Sequence, residues 1–147
     1  MAPGDERDEP RVPRGSRHEA RRRALEILYE ADLKERPVPT ILAAHLAGDE
    51  QPPEYALALV RGVHRGIARI DELITTHAKG WTLGRMPIVD RNLLRIAVHE
   101  LLDVEDVPTA VAINEAVELA KELSTDDSGR FINGVLARIA EEGPAAP

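Results

Sequence analysis

Hydrophobic residues recur along most of this chain at intervals of three or four positions, which is the period of an amphipathic α-helix. The apolar stripes include Ala24, Ile27, Leu28 and Ala31, then Val60, Val63, Ile67, Ile70 and Ile74, and finally Ile132, Val135, Leu136 and Ile139. No segment alternates between polar and apolar residues with the period of two that strands require. We therefore predict an all-α fold, a compact single-domain bundle of about six or seven helices.

Capping residues, glycines and prolines predict where these helices begin and end. Ser16 and Glu19 have the spacing of a capping box, so we expect the first helix to begin at Ser16 and to end before Pro37. Gly62 and Gly66 predict a break or kink near Ala68 in the stretch from 54 to 78, and close helix approach. The other predicted helices span 40–47, 88–102, 110–123 and 129–140, the last one capped by Asp126 and Asp127.

Composition narrows the classes of protein further. The chain has 147 residues and no cysteine, which excludes disulfides, thiolate metal sites and cysteine nucleophiles. No apolar run approaches the roughly 20 residues of a membrane span, and the first residues lack the apolar stretch of a secretory signal. We expect a cytoplasmic domain over 16–142, with disordered tails at 1–15 and 143–147, because both ends lack an apolar period.

Positive charge is concentrated at the start of the first helix. The run RGSRHEARRR, from Arg14 to Arg23, holds five arginines and one glutamate, whereas the chain from Ala24 onward has 12 Lys/Arg against 21 Asp/Glu. Cations at a helix N-terminus oppose the helix dipole, so this placement favours an external anion as their partner. A solvated surface explains the charges equally well, and the acidic remainder limits any nucleic-acid contact to this local run.

Two aromatic residues favour RNA as that anion. Steps of about 100° per residue place Tyr29 and Phe131 away from the apolar stripes of their helices, each beside an arginine. A ring beside an arginine is a platform on which an unpaired base can stack. Either ring alone is better explained as covering a neighbouring helix, and only the two together favour single-stranded RNA. Duplex DNA is less favoured, because a second basic helix for the major groove is missing.

Motifs for catalysis, cofactor binding and metal binding are missing from the sequence. The five histidines form no zinc-protease pair, and there is no phosphate-binding loop, dinucleotide fingerprint or nucleophile elbow. We therefore predict a protein that is not an enzyme and has no catalytic residue, cofactor or metal. Besides capping a helix, Asp126 and Asp127 are expected to fix Arg130 or to orient a polar ligand.

Two stretches carry a resemblance to a known family. They are VPTAVAINEAVELAK, from Val107 to Lys121, and DSGRFINGVL, from Asp127 to Leu136. Together they closely resemble the transcription antitermination factors of the NusB family. RRRALEILY, from Arg21 to Tyr29, is similar to the arginine-rich first helix of that family, and LRIAVHEL, from Leu94 to Leu101, is similar to its central helix. The resemblance covers about Ser16 to Ala140; the charged, proline-bearing tail before Ser16 departs from it.

The resemblance implies an all-helical RNA-binding factor and assigns its site by matching positions. It would pair with the ribosomal protein NusE, bind single-stranded boxA RNA of ribosomal RNA leaders, join the RNA polymerase antitermination complex and oppose premature termination. The implied RNA-binding residues are Arg17, Arg21, Arg22, Arg23, Tyr29, Asp127, Arg130 and Phe131. Asp90 and Arg95 are weaker candidates for a surface shared by RNA and partner. The resemblance leaves monomer or homodimer open.

Two alternatives remain at this point. One is an orphan helical RNA-recognition module related to that of ribosomal RNA cytosine methyltransferases, although the chain has no cysteine nucleophile and no room for a cofactor domain. The other is a protein-interaction bundle whose arginines serve only solubility. Binding of S-adenosylmethionine would favour the first, and failure to bind RNA with or without the partner would favour the second.

Overall fold

The computed structural model describes residues 14–143, and within them it forms seven α-helices and no strand. The helices are α1 Arg14–Lys34, α2 Val38–Leu46, α3 Glu54–Arg65, α4 Ile67–His77, α5 Ile88–Asp103, α6 Thr109–Leu123 and α7 Asp126–Glu142, with a short 3-10 turn at Leu83–Arg85. The all-α prediction is confirmed. Most of each predicted tail, 1–13 and 144–147, lies outside the described residues.

Prolines begin four of the seven helices. Pro37, Pro53, Pro87 and Pro108 each adopt an extended conformation directly before α2, α3, α5 and α6. A proline has no backbone N–H to leave unpaired and its φ is fixed near the helical value, so it suits a helix start. The prediction that Pro37 ends a helix was incomplete. Helix α1 ends at Lys34, and α2 begins at Val38, directly after Pro37 and two residues before the predicted start at Thr40.

The capping residues predicted for the first and last helices were wrong. Ser16 lies inside α1, which begins at Arg14, so it does not cap that helix. The last helix begins at Asp126, and its cap is Thr125, whose hydroxyl accepts a hydrogen bond from the Ser128 N–H at 3.0 Å. Asp126 and Asp127 instead occupy the first turn, where carboxylates interact favourably with the helix dipole.

Helix α5 is at the centre of the bundle and packs against α1, α3, α4, α6 and α7. Nine of its residues are buried, including the polar Asp90, Asn92, His99 and Glu100. The predicted break between α3 and α4 occurs at Gly66. Gly62 lets α3 approach α5 closely, since a Cβ added there would be 2.1 Å from His99 Cε1. The fold therefore brings polar groups of α5 underneath α1 and beside α7.

Candidate nucleic-acid interface

Arg17, Arg22 and Arg23 project in different directions from the first half of α1, and the surface that they occupy together is called the arginine face below. Arg17 pairs with Asp106 at 3.2 Å, and Arg22 pairs with Glu122 at 3.0 Å. Arg23 donates to the backbone carbonyl of Glu50 at 2.7 Å. The acids Asp106 and Glu122 are well exposed, so these contacts are of the weak surface kind.

Arg17 also stacks on an aromatic ring. Its guanidinium carbon is 4.3 Å from the centre of the Tyr55 ring, a stacked cation–π arrangement. Its Nε is buried without a hydrogen-bond partner, while its terminal nitrogens reach the exposed Asp106. The stacking fixes the stem of Arg17 and leaves its outer edge at the surface.

Arg21, the fourth arginine predicted to contact RNA, differs from its neighbours because its side chain is buried and paired with Glu100. It is 3% exposed, and its Nε and Nη2 bind the buried Glu100 at 2.9–3.0 Å. Its Nη1 is 3.3 Å from Glu115, and Tyr55 donates a short hydrogen bond to Glu100. Burial alone would lower the pKa of Arg21, but the hydrogen bonds to Glu100 raise it. In this conformation Arg21 ties α1 to α5 and is not accessible to a phosphate.

The predicted aromatic residues lie where a ligand can reach them. Tyr29 is 36% exposed, on the side of α1 that carries Arg22. Phe131 is half-buried and packs edge-to-face against Trp81, with ring centres 6.1 Å apart. Trp81, Asp127, Arg130 and Phe131 together are called the α7 corner below. Neither ring is sealed in the core.

Asp127 and Arg130 form an exposed ion pair one turn apart on α7, which confirms the expected contact between them. The Arg130 side chain is 74% exposed, so this pair leaves it open to solvent. An arginine held beside a half-exposed ring is suited to contact a backbone phosphate while the ring contacts a base.

Asp90 and Arg95 do not form an exposed surface. Arg95 binds Asp71 of α4 at 2.9 and 3.1 Å and Asp32 of α1 at 3.2 Å, so it joins three helices. Asp90 is 3% exposed and accepts a hydrogen bond from the Ser128 hydroxyl at 2.8 Å. Burial raises the pKa of Asp90, and the Ser128 and Ser124 hydroxyls partly offset that rise. Arg95 therefore connects three helices, whereas Asp90 lies at the base of the α7 corner.

Sequence reasoning missed two exposed residues near these groups. Trp81, the only tryptophan, is 49% exposed and adds a second ring to the α7 corner. Leu33 is 55% exposed one turn after Tyr29. The signal for Trp81 was its place in a loop with Gly80, Gly84 and Pro87, because large rings in such loops are often held by a neighbouring element. The described residues contain no cluster of three or more potential metal ligands, and no helix among them could span a membrane.

Comparisons with known proteins agree with the all-helical fold. The NusB family model matches residues 18–141. The transcription antitermination protein NusB of Salinispora arenicola is 57% identical over 130 residues, covering 86% of this chain and 96% of that protein. The structure of T. maritima NusB superposes with a TM-score of 0.77 at 35% identity, covering 87% of this chain and 92% of that one. A NusB from a crystal structure of NusB and NusE with double-stranded RNA gives 0.74 at 28% identity, covering 89% and 100%. With most of its length matched by the family model and by close relatives, the chain belongs to the NusB family.

Proposed function

We propose that this protein is a non-enzymatic RNA-binding adaptor in transcription antitermination. In the proposal it pairs with the ribosomal protein NusE, binds single-stranded boxA-type RNA, and acts with RNA polymerase in the cytoplasm to oppose premature termination. Two findings support the assignment to an RNA-binding partner of NusE: its relatives are named antitermination proteins, and a structural neighbour was crystallised with NusE and double-stranded RNA. The sites of contact are inferred from the structure of this chain.

The observation that carries the proposal is that Arg17, Arg22 and Arg23 reach the surface near the start of α1, with 20–35% of each side chain exposed. Surface ion pairs contribute about 0–1 kcal/mol each, so a phosphate can replace Asp106 or Glu122 at little cost. Neutralising phosphates also releases the counterions condensed on the RNA, which favours binding. Arg21 supports the same face indirectly, because its buried pair with Glu100 fixes the orientation of α1.

The aromatic residues supply the second part of the proposed contact. Tyr29 on α1 and Phe131 at the α7 corner offer ring faces or edges to unpaired bases, and stacking contributes about 1–3 kcal/mol per base. Arg130 is exposed beside Phe131 and would contact the adjoining phosphate. Rings that contact bases and an arginine that contacts the phosphate suit an unpaired strand, since bases inside a duplex are not available for stacking.

The acidic remainder of the chain supports a basic protein partner. Its net charge from Ala24 onward is −9, from 12 basic and 21 acidic residues. Ribosomal proteins of the NusE kind are basic, and opposite potentials speed and orient the approach of two proteins. A partner docked on acidic surface would bring further positive charge near the RNA.

A binding titration tests the proposal. Fluorescently labelled boxA-type RNA is titrated with the protein alone, with purified NusE alone and with both, and a scrambled RNA of equal length is the control. The proposal predicts tighter binding of the boxA-type RNA when both proteins are present. Equal binding of the two RNAs, or no effect of combining the proteins, would contradict it.

Self-association is tested in the same samples. If two copies pair through the arginine face, sedimentation would show a dimer whose population falls when RNA is added. A monomer at all concentrations would place the arginine face in solvent before RNA binds.

A further inference from the structure

Charged side chains of alternating sign connect α1 with α6. Glu115 Oε1 is 3.3 Å from Arg21 Nη1 and 2.7 Å from His18 Nδ1. On the other side of the ring, His18 Nε2 is 3.5 Å from Glu122 Oε2, and Glu122 Oε1 accepts a hydrogen bond from Arg22 at 3.0 Å. These five side chains are called the charge row below. It runs from the buried Arg21 to Arg22 at the surface, with His18 at its centre.

Both ring nitrogens of His18 face a carboxylate. A neutral imidazole has one N–H donor and one acceptor, whereas the protonated ring has two donors. The neutral ring therefore satisfies one glutamate and turns a lone pair toward the other. Because Glu115 is the nearer of the two, a neutral His18 donates to Glu115 and leaves Glu122 facing an acceptor. The protonated ring attracts both carboxylates.

The surroundings of His18 favour its protonated form. The charged groups nearest to it are Glu115 and Glu122 of α6 and Glu19, Arg21 and Arg22 of α1, with Glu100 of α5 and Tyr55 of α3 behind Arg21. The hydrogen bond to Glu115 raises the pKa of His18, burial opposes this rise, and the glutamate charges add to it. The positive charge of His18 is therefore present at low pH and lost as the pH rises through this raised value.

Glu122 couples His18 to the arginine face. In the proposed function a phosphate replaces Glu122 at Arg22, and the displaced carboxylate then needs another partner. Glu122 is 44% exposed, so its side chain has room to turn from one partner to the other. A protonated His18 already lies within reach of it. When His18 is neutral, the carboxylate is left with Arg22, and the phosphate must compete for that arginine.

We propose that His18 is a positioning residue for RNA binding, which in its protonated form attracts Glu122 and so frees Arg22 for a phosphate. The inference rests on the proposed RNA-binding function and adds a dependence on protons to it. RNA affinity is then highest while His18 carries its proton, and it falls as the proton is lost. By reciprocity, bound RNA raises the affinity of His18 for the proton by the same factor.

Direct contact between His18 and a phosphate is the competing explanation for such a pH dependence. It would require the ring to turn away from Glu115 or Glu122, and only 25% of the His18 side chain is exposed. Both explanations need His18, but only the proposed one needs Glu122. Removing the charge of Glu122 therefore separates them.

The test measures the affinity of boxA-type RNA for the full chain with NusE, by fluorescence anisotropy, between about pH 5.5 and about pH 8.5, on either side of an ordinary histidine pKa. The salt concentration is kept at about 0.15 M, where charges more than about 8 Å apart are largely screened. The test variants are His18→Gln and Glu122→Gln. Their matched controls are His64→Gln, at an exposed histidine of α3, and Glu118→Gln, at an exposed glutamate one turn before Glu122.

For the unaltered protein and both controls, we expect the RNA affinity to fall about threefold to fivefold from the lowest to the highest pH, which corresponds to one surface ion pair. His18→Gln should bind weakly throughout, and Glu122→Gln should bind tightly throughout. Each should change less than about 1.5-fold over this range, because the remaining charge effects are screened. Thermal unfolding at both ends of the pH range checks that the variants are folded.

The reciprocal effect is measured on the His18 ring protons by NMR. The midpoint of their titration should rise by about 0.5–0.7 pH when RNA is bound, which is the same threefold to fivefold factor. An unmoved midpoint would overturn the inference.

The remaining outcomes distinguish this inference from the proposed function. RNA binding whose affinity does not change with pH, or changes equally in His18→Gln, would overturn the inference and leave the function standing. A pH dependence that Glu122→Gln retains would assign His18 to direct contact with the RNA and overturn the inference too. Failure of the RNA to bind at every pH would overturn both.

Discussion

The arginine face and the α7 corner both hold arginine near aromatic rings, but they differ in what is buried. At the start of α1 the buried group is a cation, Arg21, which is fully paired with Glu100. At the α7 corner the buried group is a carboxylate, Asp90, which has one oxygen unpaired. A paired buried charge stabilises the fold, whereas an unpaired buried acceptor costs stability. The comparison therefore separates buried charges that are fully paired from those that are not, a difference that the sequence alone does not show.

The largest expected effect tests the structural side of this comparison. Arg21→Ala leaves the Glu100 carboxylate buried without its charge partner, so we expect the free energy of unfolding to fall by about 3–5 kcal/mol. Urea denaturation followed by circular dichroism measures it. Arg22→Ala is the matched control one residue away, and it should cost under about 1 kcal/mol because its pair with Glu122 is exposed. Equal losses for the two variants would mean that burial does not distinguish them.

The contact of α3 with α5 provides a second test of the structural side. In Gly62→Ala the new methyl group would lie 2.1 Å from His99 Cε1, and the buried His99 ring precedes Glu100 on α5. Overpacking of this kind costs about 1–3 kcal/mol, which thermal or urea unfolding would detect. Gly84→Ala is the control, since a Cβ there meets nothing within 4 Å. No difference between the two alanine variants would show that α3 and α5 separate without cost.

The α7 corner should respond in binding rather than in stability. Phe131→Ala is expected to weaken RNA binding by about 1–3 kcal/mol if a base stacks on the ring. The measurement is an anisotropy titration with boxA-type RNA and NusE. Leu123→Ala, which removes an exposed apolar side chain at the end of α6, is the control. An unaltered affinity for Phe131→Ala would make the ring a structural partner of Trp81 only.

The sequence predicts the features of this fold that depend on local geometry better than those that depend on tertiary packing. Helical periodicity predicted the all-α fold, and the Gly62–Gly66 spacing predicted the break before α4, because both depend on local geometry. Pro37 was interpreted only as the end of the first helix, although it also directly precedes α2. The caps at Ser16 and at Asp126–Asp127 were placed wrongly, because a capping pattern also occurs inside helices and is decided by the tertiary position of the chain.

The site was predictable in its residue types but not in its assignment of roles. Arg21, Arg22 and Arg23 are consecutive, so only the packing of α1 on α5 decides that Arg21 faces Glu100. Glu100 is 79 residues away in the chain, and no local signal couples the two. Asp90 and Trp81 were missed as parts of one cavity for the same reason, since α5, α7 and the intervening loop meet only in the folded state.

The smallest expected effect is a change in the pH dependence of stability near the arginine face. A hydrogen bond from His18 to Glu115, 2.7 Å away, raises the pKa of His18, so its contribution is present below about pH 6.5 and is lost as the pH rises through the raised value. Burial lowers the pKa of His99, so its contribution is present above about pH 6.5 and is lost as the pH falls.

The two histidines therefore change the free energy of unfolding in opposite directions as the pH rises. Replacing His18 leaves the effect of His99 without its counterpart. In His18→Gln we expect the free energy of unfolding to rise more steeply between about pH 5.5 and pH 8 than in the unaltered protein. Urea denaturation at several pH values provides the slopes. If the free energy of unfolding changed with pH at the same slope in both proteins, the role of the His18–Glu115 pair would be contradicted.

The most direct test of the account is the salt dependence of RNA binding. Four phosphate contacts on a single strand, from the three arginines of the arginine face and Arg130, predict that log affinity falls with log salt at a slope of about −3. Replacing Arg22 and Arg23 together by glutamine should reduce the slope to about −1.4 without loss of helicity. A double variant that keeps the slope of the unaltered protein would contradict the assignment of the arginine face to RNA.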